Sequence, residues 1–332
     1  MKLFLIRHGE TVDNVAGLYA GVRDSTLTNH GAEQTRKLGQ YFAKNGVQFT
    51  HVFASPLCRA FKTAEAIVEA QPRTNAQTAD TTSKKLSITK VPEIIERDFG
   101  YYEGKPFSSR SGPRNQQDDE ARNQSGFVDA ENAESMATRI ETFLDGHLVP
   151  LFDSDHEHGE HVVAIVSHGM LLSHLWRRLL LRLPRKSLTI APEVTVVRDN
   201  IILEHVGGWS NTGYMELSVR KITTPAAQTS VDAKNVTEVS KATDTAALPT
   251  PVPPFLEPEA ATVSVAPVTE LEKVLDSKIS DKTLTGWSTT ILAIDSKAHL
   301  TGLKRQRGGI GSSAHDEGQK KLDAFFKKPK LT

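Results

Sequence analysis

The chain predicts an α/β fold: a three-layer α/β/α arrangement with a mostly parallel central sheet over residues 1–222. Three observations carry this reading. Strand-like apolar runs alternate with helix-like periodic segments along that whole length, the pattern that puts helices on both faces of a sheet. Val162–Val166 is an unbroken, mostly β-branched run, as expected of a central strand buried on both faces. Helix-starting residues follow directly on strands, as Ser55-Pro56 follows His51–Ala54. From Thr223 the composition shifts to Thr, Ala, Pro, Ser and Val with almost no aromatics. Such a stretch buries too little apolar surface to offset backbone ordering, so residues 223–332 are expected to form a largely disordered tail.

Taken in order, Leu3–Ile6 has the length and branching of a buried strand. Thr28 caps a helix with Thr35, Leu38 and Phe42 on one face. The helix after Ser55-Pro56 runs to about Ala70 and gives way to a polar loop over 71–87. Glu93–Gly104 has no clear period, and residues 105–130 read as a polar insertion. Glu134–Leu148 is helical, with Met136, Ile140, Phe143 and Leu144 aligned. Leu171–Leu181 is a further helix, and Ile201–Val206 and Tyr214–Val219 read as closing strands. Within the tail, Leu271, Val274, Leu275 and Ile279 suit a short amphipathic helix formed on a partner.

Composition narrows the function classes. The 332 residues carry 40 basic and 40 acidic side chains, so no global field draws the whole chain to nucleic acid or to a membrane. One cysteine, Cys58, excludes an intramolecular disulfide and fits a reducing compartment. No apolar run reaches the length of a membrane span, and the first residues lack a signal-peptide core. The chain is therefore expected to be soluble and intracellular.

The first strand ends by presenting Arg7 and His8 together, which is costly unless an anion waits there. Open α/β sheets place their sites beyond the carboxyl ends of strands. Arg7-His8-Gly9-Glu10-Thr11 with Asn14 resembles the histidine phosphatase superfamily, the phosphoglycerate mutase-like fold. Three further segments match in the family's order: Ser55-Pro-Leu-Cys-Arg59-Ala60 with Thr63-Ala64, Glu96-Arg-Asp-Phe-Gly100 with Glu103-Gly104, and Val166-Ser-His168-Gly169. Asn211-Thr-Gly213 resembles the closing strand, so the resemblance spans residues 1–222 and none of the tail.

The resemblance implies that His8 attacks phosphorus to give a phosphohistidine, with Glu96 as proton donor and His168 as the second catalytic histidine. It makes Arg7, Asn14, Gly21 and Arg59 the groups that bind the substrate phosphate. Tyr19-Ala20 departs from the family pattern before Gly21. Arg7 and Arg59 suit bidentate contacts to the phosphoryl oxygens, Arg59 from the first turn of a helix that favours anions. His168 is expected as an imidazolium held by the phosphate itself, and Glu96 as a carboxyl kept protonated near a bound dianion. No cofactor or metal is implied. Asp153-Ser-Asp155-His156 with His158 and His161 reads as a solvated loop rather than a metal site. Phe99–Lys105 is closer to the phosphatase branch than to the mutases, and Arg110 and Arg114 in the insertion suit a second phosphate or carboxylate. The expected activity is hydrolysis of small phosphorylated metabolites. Mutase-type phosphoryl transfer is one alternative, and a phospho-ligand-binding protein with little turnover is another.

The tail carries a second motif. Gln319, Leu322, Phe325 and Phe326 have the spacing of a PIP box, the peptide that docks on the sliding clamp PCNA. One 3₁₀ turn sets Leu322 and both phenylalanines on one side as an apolar plug. Lys320, Lys321, Lys327, Lys328 and Lys330 surround it, and with Lys304, Arg305 and Arg307 they resemble a nuclear-import signal. Partners expected are thus a small phosphorylated substrate and the clamp, with no direct nucleic acid and no membrane, in nucleus and cytoplasm.

Overall fold

A computed structural model of the chain describes residues 1–72, 86–111, 126–153, 160–198, 201–222, 283–307 and 309–316. The PIP-box motif at 319–326, the pattern at 271–279 and most of the Asp153–His161 run lie outside the described residues.

Seven strands form one sheet among the described residues: β1 (Lys2–Arg7), β2 (His51–Ala54), β3 (Ile88–Lys90), β4 (Val162–Ser167), β5 (Leu188–Ile190), β6 (Tyr214–Lys221) and β7 (Trp287–Ser296). Their order is β3-β2-β4-β1-β6-β7-β5. The pairs β1–β4, β2–β4, β2–β3 and β5–β7 are parallel, whereas β6 runs antiparallel to both β1 and β7. Five helices matter for the site: α1 (Val12–Ala16), α2 (Asn29–Lys44), α3 (Cys58–Ala70), α4 (Ala133–Phe143) and α5 (Gly169–Arg182).

The period of two in β1 separates the layers. Phe4 and Ile6 pack with Leu38 and Phe42 of α2 and Ala60, Ala64 and Ile67 of α3. Leu3 and Leu5 pack on the other face with Met136, Ile140 and Phe143 of α4 and Leu172, Leu175 and Trp176 of α5. The three-layer α/β/α fold expected from the alternation is present. Thr28 caps α2 as expected, its hydroxyl accepting the Gly31 N–H at 2.9 Å.

Two expectations are corrected. Ile201–Val206 does not form a strand: it holds a 3₁₀ turn at Leu203–His205. Leu203 and Val206 are buried in the helical layer, and the Leu203 carbonyl accepts from Trp176 Nε1 at 2.6 Å. The second correction moves the domain boundary. Residues 283–316 are not free tail but return to the domain, where β7 pairs with β6 along its length. Trp287, Thr289, Ile291 and Ile294 of β7 are buried. Lys221 pairs with Trp287, and the Ile222 N–H donates to the Gly286 carbonyl at 2.7 Å. Residues 223–285 therefore link two strands that meet as a hairpin. The register alternation of β7 was hidden because some sixty residues of low-complexity sequence separate it from its partner. The same return seats Arg305 against the domain, where its guanidinium pairs with Glu10 and Ser312.

Candidate active site

Because β1 and β4 are adjacent and parallel, their carboxyl ends deliver two histidines side by side. Arg7 is in register with Ser167, and the His8 N–H donates to the Ser167 carbonyl at 3.0 Å. The His8 and His168 rings lie 5.1 Å apart, centroid to centroid, and both side chains are buried.

Backbone and neighbours set the tautomers. His8 Nδ1 lies 2.7 Å from the Gly9 carbonyl, which only accepts, so Nδ1 carries the proton. Nε2 of His8 is then an unprotonated lone pair with no hydrogen-bond partner among the described residues. Burial, then Arg59 and Arg7, hold the His8 pKa well below the ordinary histidine range, so the ring is neutral. Gly9 is required beside it, since a Cβ there would meet Thr35 and the Gly31 carbonyl at 2.7 and 2.8 Å.

His168 is also neutral, lowered by burial and by Arg59, His8 and Arg7. Its Nδ1 accepts from Arg59 Nε at 3.1 Å, which leaves the proton on Nε2 to be donated to Ser55 Oγ at 2.8 Å. Its nearest full charges are arginines, and the imidazolium expected from the resemblance is a state held by the phosphate itself. Ser55 departs from its expected role as helix cap. Helix α3 starts at Cys58 with no side-chain cap, and the Ser55 hydroxyl serves His168.

Arg59 comes from the first turn of α3 and is fully buried. Its Nη1 donates to the Arg23 carbonyl and its Nη2 to those of Ala20 and Gly21, at 2.7–3.0 Å. With His168 this engages four of a guanidinium's five donors, so Arg59 organises the 20–23 loop as well as charging the site. Arg7 differs. Nη1 donates to the Trp209 carbonyl at 2.5 Å, while Nε is buried without a partner among the described residues. A buried, unpaired guanidinium N–H beside His8 is a ready anion contact.

Glu96 sits at the start of α5. One carboxylate oxygen accepts from the N–H groups of Arg97 and Leu171, both at 2.9 Å, and the other from Met170 at 3.1 Å. Asn14 closes a capping box with Thr11, and its Oδ1 accepts from Asn211 Nδ2 at 3.1 Å, leaving its own Nδ2 as the spare donor. Asn211 also donates to the His8 carbonyl at 3.2 Å, as does the Thr212 N–H at 3.1 Å.

Arg7, His8, Asn14, Arg59 and Glu96 line a single cleft of about 390 Å³. His168 stands behind it, against His8 and Arg59. Gly21 is not brought in as a phosphate donor: its N–H donates to both Glu103 oxygens, at 3.0 and 3.1 Å. Its glycine is needed for packing, because a Cβ would come within 2.0 Å of the Arg97 carbonyl oxygen.

A family model described as the histidine phosphatase superfamily (branch 1) matches residues 3–198. The chain belongs to the histidine phosphatase superfamily. An adenosylcobalamin/α-ribazole phosphatase of Escherichia coli is 30% identical over 189 residues, 54% of this chain and 79% of that protein. A Danio rerio protein, "Probable fructose-2,6-bisphosphatase TIGAR A", is 42% identical over 103 residues, 31% of this chain, and the match spans only 36% of that protein. Among solved structures, the α-ribazole phosphatase of Shigella flexneri is 25% identical, with a TM-score of 0.44, covering 66% of this chain and 91% of that one. The superfamily match ends before β6 and β7, so the strands that complete this chain's sheet lie beyond it.

Other cleft residues escaped the motif reading. Tyr19, Phe99, Phe107 and Trp209 supply apolar walls, and Met170, Ser173, His174 and Arg177 line the cleft from α5. The second group is spaced i, i+3, i+4, i+7 from the residue after His168-Gly169, a one-face signal readable in the sequence. The side chains of Arg110 and Arg114 lie outside the described residues.

Proposed function

We propose that this superfamily member is a metal-independent phosphomonoesterase that works through a phosphohistidine at His8 on small phosphorylated metabolites. The observation that carries the reading is the state of His8: neutral, fixed through Nδ1–H, and with Nε2 free beside the unpaired Nε of Arg7.

In the first step Nε2 forms a bond to phosphorus as the ester P–O bond breaks, and the Glu96 carboxyl gives its proton to the departing alkoxide. In the second step water attacks phosphorus, its proton passes to Glu96, and the N–P bond breaks to release phosphate. Arg7 and Asn14 contact the phosphoryl oxygens directly. Arg59 adds charge from behind and holds His168, so fixed protein cations meet the developing negative charge. The direct test is phosphate release by the full chain from a panel of sugar, glycerate, nucleotide and peptide phosphates. Wild type releases phosphate from at least one and His8→Ala loses the activity by a thousandfold or more; equal release by both overturns the reading.

The tail motif extends the proposal. The spacing of Gln319, Leu322, Phe325 and Phe326 supports docking on the sliding clamp, and the surrounding lysines support entry into the nucleus. A peptide of residues 317–332 binds the clamp and its Phe325→Ala/Phe326→Ala form does not; no difference between the two refutes the docking. Removing 317–332 from a tagged chain shifts it out of the nucleus on the same reading.

A further inference from the structure

We propose that the cleft holds a second anion subsite centred on Arg177, so that the substrate is a small phosphomonoester bearing a carboxylate or a second phosphate. This rests on the phosphoryl-transfer reading of the same cleft.

Helix α5 begins at Gly169, directly after His168, and presents Met170, Ser173, His174 and Arg177 to the cleft from one face. Arg177 is half-buried and its Nε is enclosed without a hydrogen-bond partner. Its neighbours on the helix are all neutralised. Arg178 pairs with Glu141, and Arg182 pairs with Glu141 and Asp145. On α4, Arg139 is held bidentately by Glu131. Among the arginines of α5, Arg177 alone has no carboxylate partner in the described residues. It is also the one that faces the cleft.

The surroundings agree. His174, one turn before Arg177, has its pKa pushed down to about 4 by burial, then by Arg177, Arg97 and Arg139, with Glu131 the opposing charge. It is therefore a neutral donor or acceptor beside a free cation. Ser173 accepts from Trp209 Nε1 at 3.1 Å, which fixes an aromatic wall of the cleft. A site meant for a neutral alcohol gains nothing from a cleft-lining guanidinium whose Nε is enclosed without a partner among the described residues.

The spacing fits a small substrate. Arg177 lies eight residues beyond Gly169, roughly 12 Å along a helix rising about 1.5 Å per residue, and its side chain leans back toward the N-terminus. The guanidinium then sits roughly 6–10 Å from a phosphoryl group at His8. That separation suits a three- to six-carbon chain with an anion at each end.

The experiment compares kcat/KM of the full chain for matched pairs. One pair is 3-phosphoglycerate and glycerol 3-phosphate, and the other is a sugar bisphosphate and its monophosphate. Wild type prefers the doubly anionic member of one pair by about tenfold to a hundredfold, the worth of a charge-assisted Arg–anion contact. Which pair shows it tells carboxylate from phosphate. Arg177→Met brings that ratio near one, and Arg177→Lys keeps part of it. A wild-type ratio near one in both pairs overturns the subsite, as does an Arg177→Met loss equal for both members. Hydrolysis of other phosphate esters but none of these four also overturns the subsite, whereas hydrolysis of no ester at all would instead strike the phosphatase reading.

Discussion

The return of residues 283–316 to the sheet makes a quantitative demand on where the domain can be cut. A chain ending at Ile222 loses β7 and with it the burial of Leu284, Trp287, Ile291 and Ile294, each no more than 9% exposed. Burial of a large apolar side chain is worth about 1.5–3 kcal/mol, so these four contribute about 6–12 kcal/mol. That equals the whole net stability of a typical domain, about 5–15 kcal/mol. The cut also bares the β6 edge and removes two contacts to the loop behind His8. Asp295 there accepts from the Ser210 N–H and hydroxyl, both at 2.8 Å, and His299 bonds Thr212 at 2.8 Å. The chain ending at Ile222 should therefore show no cooperative urea transition by circular dichroism and no activity. A companion chain in which a four-residue Gly/Ser bridge replaces 224–282 should unfold cooperatively at nearly the full-length midpoint, because Ile222 and Gly286 already meet. A cooperative transition at the full-length midpoint in the chain ending at Ile222 would refute the reasoning, as would failure of the bridged chain to fold.

Two further predictions follow from the buried groups. His8, His168, His174 and His299 all titrate below their ordinary value of 6.5 when folded, the last two at about 4, each chiefly through burial. The unfolded chain thus binds more protons, so stability is intact above about pH 6.5 and falls as the pH drops, by at most about 1.4 kcal/mol per pH unit for each histidine. Urea midpoints should decline from pH 6.5 to 4 and His299→Gln should flatten the slope; a profile that is level in both proteins contradicts this. Glu103 accepts from the N–H groups of Gly21, Val22, Arg23 and Phe99. Glu103→Ala leaves these donors unmet and should cost about 2–4 kcal/mol by equilibrium denaturation, with KM rising as the 20–23 loop loosens. A change under 0.5 kcal/mol would show that the loop is held elsewhere.

The catalytic constellation was legible because its chemistry is local. Arg7-His8-Gly9 and Ser167-His168-Gly169 each sit at the end of an apolar run, and a strand end is a fixed address in an α/β sheet. Glu96 was found from its segment, yet its three backbone donors belong partly to α5, some 75 residues away. Gly21 was placed in the site by resemblance, whereas its N–H is spent on Glu103. The polar face of α5 was readable as a period but not as a wall of the cleft, since nothing in a helix shows which way that face turns.

The sequence by itself determined the layers, the two histidines at neighbouring strand ends and the family, because these depend on periodicities of two and 3.6 and on motifs a few residues long. Only the tertiary structure decided the neutral state of His8 in its burial between arginines, the lack of partners for Arg7 Nε and Arg177 Nε among the described residues, and the place of β7. Burial, charge balance and strand pairing arise between residues tens to hundreds of positions apart, and no local pattern records which partner each group meets.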